Sequence, residues 1–438
     1  MKVPADLLLL PQWVVPVESG GALADHAVVV QDGKILDVLP ADAAQARYAA
    51  AQAIALPGQA LIPGLVNLYG QSALSLLRGF ADDLPLARLG EHLRPAEKKH
   101  LSEAFVRDGT LLAAAEMLAG GVTHCCDAYF FPRAAGEAFL QAGMRATLGM
   151  IVQESPSAYA ADADGHLARG LALRDALRDE PLLSFAFALH APHVVSDASL
   201  GRVNTLAEQL SLPIHTCIHE TGDEIRDSLK QFGVRPLERL AQLGVLGPNF
   251  IGVHAVHVND AEIRLLAQHG CHVAHCPASN LKLACGIAPV ADLLRAGINL
   301  GFGTGAAASN NRLDLFAEMR LAALLAKGAS SDAAALPAAA ALHAATLGAA
   351  RALNLDGQIG SITPGKRADL VAVDLRAPSS QPVFDPVAHL VYVAGREHVT
   401  HVWVDGQLKL NDRRLVDLDT DDLAARAAYW RTKLTARG

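Results

Sequence analysis

The sequence predicts an α/β fold, in which a (β/α)₈ barrel of the TIM type carries a smaller composite β-sandwich domain built from both chain ends. Through the middle of the chain, apolar strand-like segments alternate with amphipathic or Ala-rich stretches, and this alternation is typical of a parallel barrel. Both ends carry short β-rich runs instead. The length of 438 residues also suits a barrel of about 250 to 300 residues plus one further module.

The two chain ends are predicted to pair in one sandwich. The first end contains DLLLLPQWVVPV and HAVVVQDGKILDVLP, with Asp32-Gly33 as the signal for a hairpin turn. The second end contains RADLVAVDL and VTHVWVDGQLKL, with Asp405-Gly406 in the same role. We therefore assign residues 1–57 and 365–438 to the composite β-sandwich and residues 58–364 to the barrel.

The strand candidates of the barrel end in polar residues. These candidates are SFAFALH, LPIHTCIHE, NFIGVHAVHV, CHVAHCP and INLGFGTG. In such barrels the carboxyl ends of the strands form the rim that carries the chemistry, so the polar ends predict a pocket there. Any one of the histidines is equally well explained as a core residue. Five strand ends with polar residues together favour a site.

Composition narrows the classes of partner. With 51% hydrophobic and 19% charged residues and a net charge of −8, the chain is expected to be a soluble globular protein that does not bind nucleic acid. The run LLLLPQWVVPV is too short to span a bilayer and has no basic leader, so no membrane association is expected. The six cysteines follow no framework spacing, which favours reduced thiols and a cytoplasmic location.

Several motifs together resemble the amidohydrolase superfamily, in the branch of methylthioadenosine/S-adenosylhomocysteine deaminases and triazine hydrolases. They are PGLVN, LLRGFADDLP, RPAE, HAPHVVSD, HETGDEI, GVHAVH, HCPASNLKLACGIAPV, ASNNRLDL and GSITPGKRADLVAVD. The resemblance covers essentially the whole chain. It implies a small-molecule ligand of the adenine nucleoside or thio-nucleoside type, and it implies a homo-oligomer.

The chain departs from this family at its metal site. Members of the branch usually bind one divalent metal through an HxH after the first barrel strand, a His after the fifth and an Asp after the eighth. The resemblance places these four ligand positions on Tyr69, Gln71, Cys217 and Gly305. For example, GTGAAASNN stands where the family pattern reads GTDGAASNN. A catalytic metal needs about three protein ligands, and Tyr, Gln and Gly are poor substitutes. We therefore predict no metal and no cofactor, although Cys217 remains a soft donor with His215 or His219 beside it.

The positions around the metal site match the family better. The resemblance assigns Glu220 as the proton-shuttling carboxylate and His254 as the histidine that polarises the attacked centre. It assigns Glu97 to the ribose hydroxyls and His190 to a further substrate contact. Glu97 is also compatible with a solvated helix start, and His254 with a core position. Without a metal to bind, Tyr69 and Gln71 are expected to face the ligand.

Three hypotheses remain open at this point. In the first, the chain binds a nucleoside without turnover. In the second it is a metal-independent enzyme, which could work in two ways. In the covalent version, Cys217 attacks an amidine-like ring carbon, with Glu220 or His254 as acid and base. In the other version, Tyr69, Glu220 and His254 transfer protons without a thiol. Cys217 is also explained as a small apolar filler. In the third, the chain is a metal-dependent deaminase with rearranged ligands.

Overall fold

The structure, a computed structural model, describes residues 2–18 and 21–436. The strands are β1 Val3–Val14, β2 Leu23–Ala24, β3 His26–Gln31, β4 Lys34–Pro40, β5 Tyr48–Pro63, β6 Leu65–Gly70, β7 Val122–Asp127, β8 Arg145–Val152, β9 Leu183–Leu189, β10 Ile214–Ile218, β11 Phe250–His254, β12 His272–His275, β13 Asn299–Phe302, β14 Leu370–Asp374, β15 Val399–Val404, β16 Gln407–Asn411 and β17 Arg414–Leu415.

The helices are α1 Ala41–Arg47, α2 Leu86–His100, α3 Glu103–Ala119, α4 Pro132–Ala142, α5 Ala163–Leu177, α6 Asp197–Leu210, α7 Gly222–Phe232, α8 Pro236–Gln242, α9 Asp260–Gln268, α10 Pro277–Lys282, α11 Val290–Arg295, α12 Ala307–Asn310, α13 Leu315–Ser330, α14 Ala338–His343, α15 Ala349–Ala352, α16 Pro386–Tyr392 and α17 Thr420–Thr435. Short 3₁₀ turns lie at Ser72–Leu77, Pro192–Val194, Pro378–Ser380 and Arg396–His398, and a π-helical turn at Ala344–Gly348. None of the helices within the described residues is long and apolar enough to cross a membrane.

Strands β6 to β13 form an eight-stranded parallel sheet in chain order. Every residue of β6, β7, β8, β11 and β12 is buried, as expected for strands covered on both faces. The first and last strands meet through a parallel bridge between Gly70 and Gly305, where the Gly305 N–H donates to the Tyr69 carbonyl at 2.9 Å. The sheet therefore closes into the predicted barrel.

Side chains reinforce this barrel closure, by which we mean the contacts between β6 and the loop that follows β13. The buried Asn67 side chain donates to Thr304 Oγ1 at 2.8 Å and accepts from the Thr304 N–H at 3.1 Å. Gly303 permits the close approach, because a Cβ there would lie 2.7 Å from the Cβ of Tyr69. The closure thus rests on one buried amide and on backbone that only glycine allows.

The terminal segments form a second, mixed sheet of nine strands. Strand β5 lies in its interior, paired with β1 in parallel and with β14 antiparallel, so strands from both chain ends share one sheet. Both predicted hairpin turns are present, with positive φ at Asp32 and Gly33 and at Asp405 and Gly406, as a type I′ turn requires. The composite module is confirmed, and its residue boundaries stay a prediction.

An ion pair joins the barrel to the terminal sheet. Arg145, the first residue of β8, donates from Nε to Asp369 Oδ2 at 2.9 Å and from Nη2 to Oδ1 at 3.2 Å. The side chains are 5% and 2% exposed. Asp369 Oδ1 also accepts the Asp405 N–H at 2.7 Å, and the Asp369 carbonyl accepts the Gly64 N–H at 2.8 Å. The buried Asp369 carboxylate therefore takes part in joining the two sheets.

Candidate ligand-binding site

The rim of the barrel gathers four of the predicted site residues. Tyr69 lies near the end of β6, Cys217 lies on β10, Glu220 follows β10 by two residues, and His254 ends β11. The Tyr69 hydroxyl is 3.5 Å from Cys217 Sγ, and Glu220 Oε1 is 3.6 Å from His254 Nε2. We call the residues Cys217, Glu220 and His254 the rim trio. The thiol sulfur, a carboxylate oxygen and a ring nitrogen of these residues all lie within 4.8 Å of one another.

Glu220 is presented by a turn that a second carboxylate organises. Thr221 caps α7 by accepting the Glu224 N–H, and Glu224 Oε2 accepts the Glu220 N–H at 2.9 Å. The preceding residue, His219, has a positive φ of 50°, which turns the chain out of the strand. Burial raises the pKa of Glu224 to about 7, and its Oε1 is buried without a hydrogen-bond partner. This short segment fixes where Glu220 stands.

His254 is oriented by an amide on the neighbouring rim segment. Its Nδ1 lies 2.7 Å from Asn280 Oδ1 on α10, and an amide oxygen at this distance favours the tautomer in which Nδ1 carries the proton. In the neutral ring Nε2 is then an acceptor that faces Glu220. The backbone of His254 also has a positive φ of 73°, a conformation that is uncommon for residues other than glycine.

Tyr69 fills the space between the rim histidines. Its side chain is 8% exposed, and its ring packs edge-on against His215 and His254 at centroid distances of 6.0 and 5.9 Å. Burial, together with Cys217 and Glu220, raises the pKa of the phenol well above its ordinary value. Tyr69 is therefore a neutral hydroxyl at physiological pH.

Cys217 is protonated in this environment. Burial, and then the charge of Glu220, raises the pKa of its thiol. The histidines expected on its face of β10 do not change this result. His215 stays neutral because burial lowers its pKa to about 4. His219, past the end of the strand, turns away, and its ring contacts the Leu237 N–H and Arg235 instead. The thiolate environment expected from strand alternation is therefore not formed.

The other predicted residues take no part in these contacts. Glu97 is half-buried on α2 and accepts a hydrogen bond from the Tyr129 hydroxyl. His190 is exposed just after β9, and Gln71 is half-buried just after β6. Gly305 has a positive φ of 63° and contributes no side chain. Among the residues that the structure describes, no hydrogen bond joins Glu97, His190 or the Gln71 side chain to the rim trio or to Tyr69.

Sequence reasoning missed three residues that position the site. Asn67 ties the barrel closure, Glu224 holds the turn of Glu220, and Asn280 orients His254. All three lie inside the motifs PGLVN, HETGDEI and HCPASNLKLACGIAPV, so the signal was present. Each acts on a backbone group or on a residue from another segment. Spacing within one motif therefore does not reveal its role.

A parallel barrel with polar residues at the carboxyl ends of its strands and a sheet from both termini defines a class of TIM-type barrel proteins with an added terminal sheet. Residues 60–409 match the family model described as "Amidohydrolase family". The chain therefore belongs to this family.

Within this family the chain is similar to named deaminases along its whole length. It is 44% identical over 438 residues to 5-methylthioadenosine/S-adenosylhomocysteine deaminase from Saccharophagus degradans, which covers 100% of this chain and 98% of the relative. The crystal structure of an adenosine deaminase from Xanthomonas campestris with bound zinc is 48% identical, with a TM-score of 0.98 and 99% coverage of both chains. Atrazine chlorohydrolase from Arthrobacter aurescens, complexed with zinc, shares the fold at 22% identity, a TM-score of 0.90 and coverage of 97% and 99%.

Proposed function

We propose that this chain binds an adenine nucleoside or thio-nucleoside at the barrel rim and does not carry out metal-dependent deamination. The observation that carries the proposal is the contact of the Tyr69 hydroxyl with Cys217 Sγ at 3.5 Å. The family resemblance assigns both positions to metal ligands, and here a neutral phenol and a protonated thiol face each other across the rim.

The residues at the family's ligand positions do not fit a hydrolytic metal. Gly305 offers no donor, Gln71 offers only a neutral amide, and the Tyr69 ring fills space between His215 and His254. Such a metal lowers the pKa of bound water from 15.7 to about 7, which corresponds to about 12 kcal/mol in forming hydroxide. Glu220 as a base alone does not supply this free energy. Hydrolytic deamination by the family's route is therefore not part of the proposal.

The ligand class follows from the relatives and from the polar groups that remain. The relatives' names refer to adenosine, 5-methylthioadenosine and S-adenosylhomocysteine. In this chain Glu220 and His254 present two acceptors at the barrel rim, 3.6 Å apart, which suit a nitrogen heterocycle with N–H donors. Glu97 and His190 are proposed to contact the rest of the ligand. A homo-oligomer and a cytoplasmic location are part of the same proposal.

Calorimetry with chelator-treated protein tests the proposal. We expect saturable binding of at least one of adenosine, 5′-methylthioadenosine and S-adenosylhomocysteine, and no deaminated product by chromatography, either in the chelated protein or after Zn²⁺ is added back. Glu97→Gln should weaken binding, because it removes a charge proposed to hold the ligand hydroxyls. Glu91→Gln, on the same helix but exposed and paired only with Arg88, is the matched control and should bind as the parent does. Absence of binding to all three compounds would contradict the proposal, and so would deamination that depends on added metal.

A metal-independent enzyme is the second candidate, and the Glu220–His254 pair favours its proton-transfer version. An acceptor nitrogen and a carboxylate 3.6 Å apart are suited to move a proton across a bound heterocycle. The covalent version is less well supported, because the Cys217 thiol is protonated. Product analysis by mass spectrometry after incubation with the same three nucleosides separates this candidate from a binding protein.

A further inference from the structure

The rim trio has the composition of a soft-metal site. Its members offer one thiol sulfur, one carboxylate oxygen and one imidazole nitrogen, all within 4.8 Å of one another. We propose that Cys217, Glu220 and His254 bind a soft divalent cation such as Zn²⁺. Two of these donors are residues to which the family resemblance gives other roles, so the site differs from the family's metal site.

The distances are close to those of a metal's coordination sphere. Zinc bonds to nitrogen, oxygen and sulfur are about 2.0 to 2.3 Å long, so tetrahedral ligand atoms lie about 3.4 to 3.8 Å apart. Glu220 Oε1 and His254 Nε2 are already separated by 3.6 Å. The third donor, Cys217 Sγ, lies within 4.8 Å of both of these atoms, so the three donors need to approach one another only slightly to bind one ion.

The surroundings of His254 support this assignment. Asn280 Oδ1 holds the Nδ1–H at 2.7 Å, which leaves the Nε2 lone pair directed at the trio. Histidines that bind metals almost always donate their other ring N–H in this way. Asn280 is therefore a positioning residue for the site.

Charge and softness select the cation. When the Sγ–metal bond forms, the S–H bond breaks and its proton passes to the buffer, so the bound trio offers a thiolate, a carboxylate and a neutral imidazole. This charge of −2 balances a divalent cation. Thiolate and imidazole favour Zn²⁺ over Mg²⁺ or Ca²⁺, which prefer oxygen ligands. Three protein ligands would leave the fourth coordination position of a tetrahedral ion to water or another small ligand.

The cation and a nucleoside would use the same groups. If the proposed function holds, Glu220 and His254 contact the bound heterocycle, so the cation and the ligand exclude one another. By linkage, the factor by which Zn²⁺ lowers the ligand's affinity equals the factor by which the ligand lowers that of Zn²⁺. The site would thus make ligand binding sensitive to free zinc.

Cobalt spectroscopy and a zinc competition titration of the full chain test the site. We expect about one equivalent of Co²⁺ to produce a sulfur-to-cobalt charge-transfer band, and Zn²⁺ to remove it. Cys217→Ser should abolish the band and lower Zn²⁺ affinity at least about tenfold, and Asn280→Ala should lower it about 10- to 100-fold. Cys271→Ala is the matched control, because Cys271 precedes β12 at the opposite end of the barrel, and it should behave as the parent does.

Two results would overturn the proposal: no charge-transfer band in the parent protein, or an unchanged band in Cys217→Ser. Circular dichroism shows that each variant is folded. Calorimetry of 5′-methylthioadenosine with and without Zn²⁺ then measures the exclusion. If no nucleoside binds the metal-free protein, the proposed function fails and the cobalt band still decides the cation site. If a nucleoside binds and the band is absent, the cation site alone fails.

Discussion

Removing the carboxylate that joins the two sheets should destabilise the whole chain. In Asp369→Ala, Arg145 keeps its charge in a place where its side chain is 5% exposed and loses both of its hydrogen bonds to the carboxylate. The Asp405 N–H loses its acceptor as well. Breaking a buried ion pair by removing one partner costs about 3 to 5 kcal/mol. The Asp405 carboxylate, 3.7 Å from Arg145 Nη2, is then the nearest charge that opposes the arginine.

This free energy translates into a modest change in melting temperature. At about 2.1 cal/mol/K of unfolding entropy per residue, a chain of 438 residues has about 0.9 kcal/mol/K, if barrel and sheet unfold together. The loss therefore lowers the Tm by about 3 to 5 °C. Differential scanning calorimetry measures the shift, and urea titration measures the free energy of unfolding.

Two comparisons isolate the cause. Arg376→Ala removes an ion pair to Asp374 whose arginine is 58% exposed, and it should destabilise the chain much less than Asp369→Ala does. The double variant Arg145→Met/Asp369→Leu removes both charges and should regain most of the loss. The reasoning is refuted if Asp369→Ala melts within 1 °C of the parent protein, or if the double variant is no more stable than the single one.

Three further predictions concern the rim. Restoring the family's ligand set with Tyr69→His, Gln71→His, Cys217→His and Gly305→Asp should yield near-stoichiometric zinc and adenosine deamination, measured by elemental analysis and ammonia release; a variant that stays metal-free while folded would contradict it. Glu224 has a pKa of about 7 in the fold against an ordinary 4.5, so the folded state holds its proton more tightly. Stability is therefore lost as pH rises from about 4.5 to 7, by up to about 3 kcal/mol, and denaturation of Glu224→Gln across this range should show a flatter profile than the parent. Finally, burial and the neighbouring carboxylate raise the pKa of Cys217. In the metal-free protein this thiol should therefore react with iodoacetamide at pH 7 far more slowly than a free cysteine does, and peptide mass spectrometry measures the rate. Rapid labelling of Cys217 would favour the covalent mechanism.

The sequence predicted the architecture because its signals are local. Alternating strands and helices, together with the turns at Asp32-Gly33 and Asp405-Gly406, each depend on neighbours in the chain. The family motifs also located Glu220 and His254, which the structure brings within 3.6 Å of each other.

The contacts that orient the side chains at the rim could not be predicted from local sequence signals. His219 was expected beside Cys217, but a positive φ at the end of the strand breaks the period-two alternation and directs its ring toward Arg235. Asn280 reaches His254 from a position 26 residues further along the chain. Such pairings depend on how the rim loops fold over the barrel, and one sequence alone carries no pattern for them.

The barrel closure has a consequence for how the chain depends on its surroundings. Two of the positions that the resemblance assigns to metal ligands, Tyr69 and Gly305, lie on opposite sides of this closure, and a shared ion would act there as a cross-link between the first and last strands. In this chain the Asn67 amide and the Gly305 N–H make the connection. The first and last strands are thus joined by hydrogen bonds within the polypeptide itself. We therefore expect the barrel to close even where no metal ion is present in the cell.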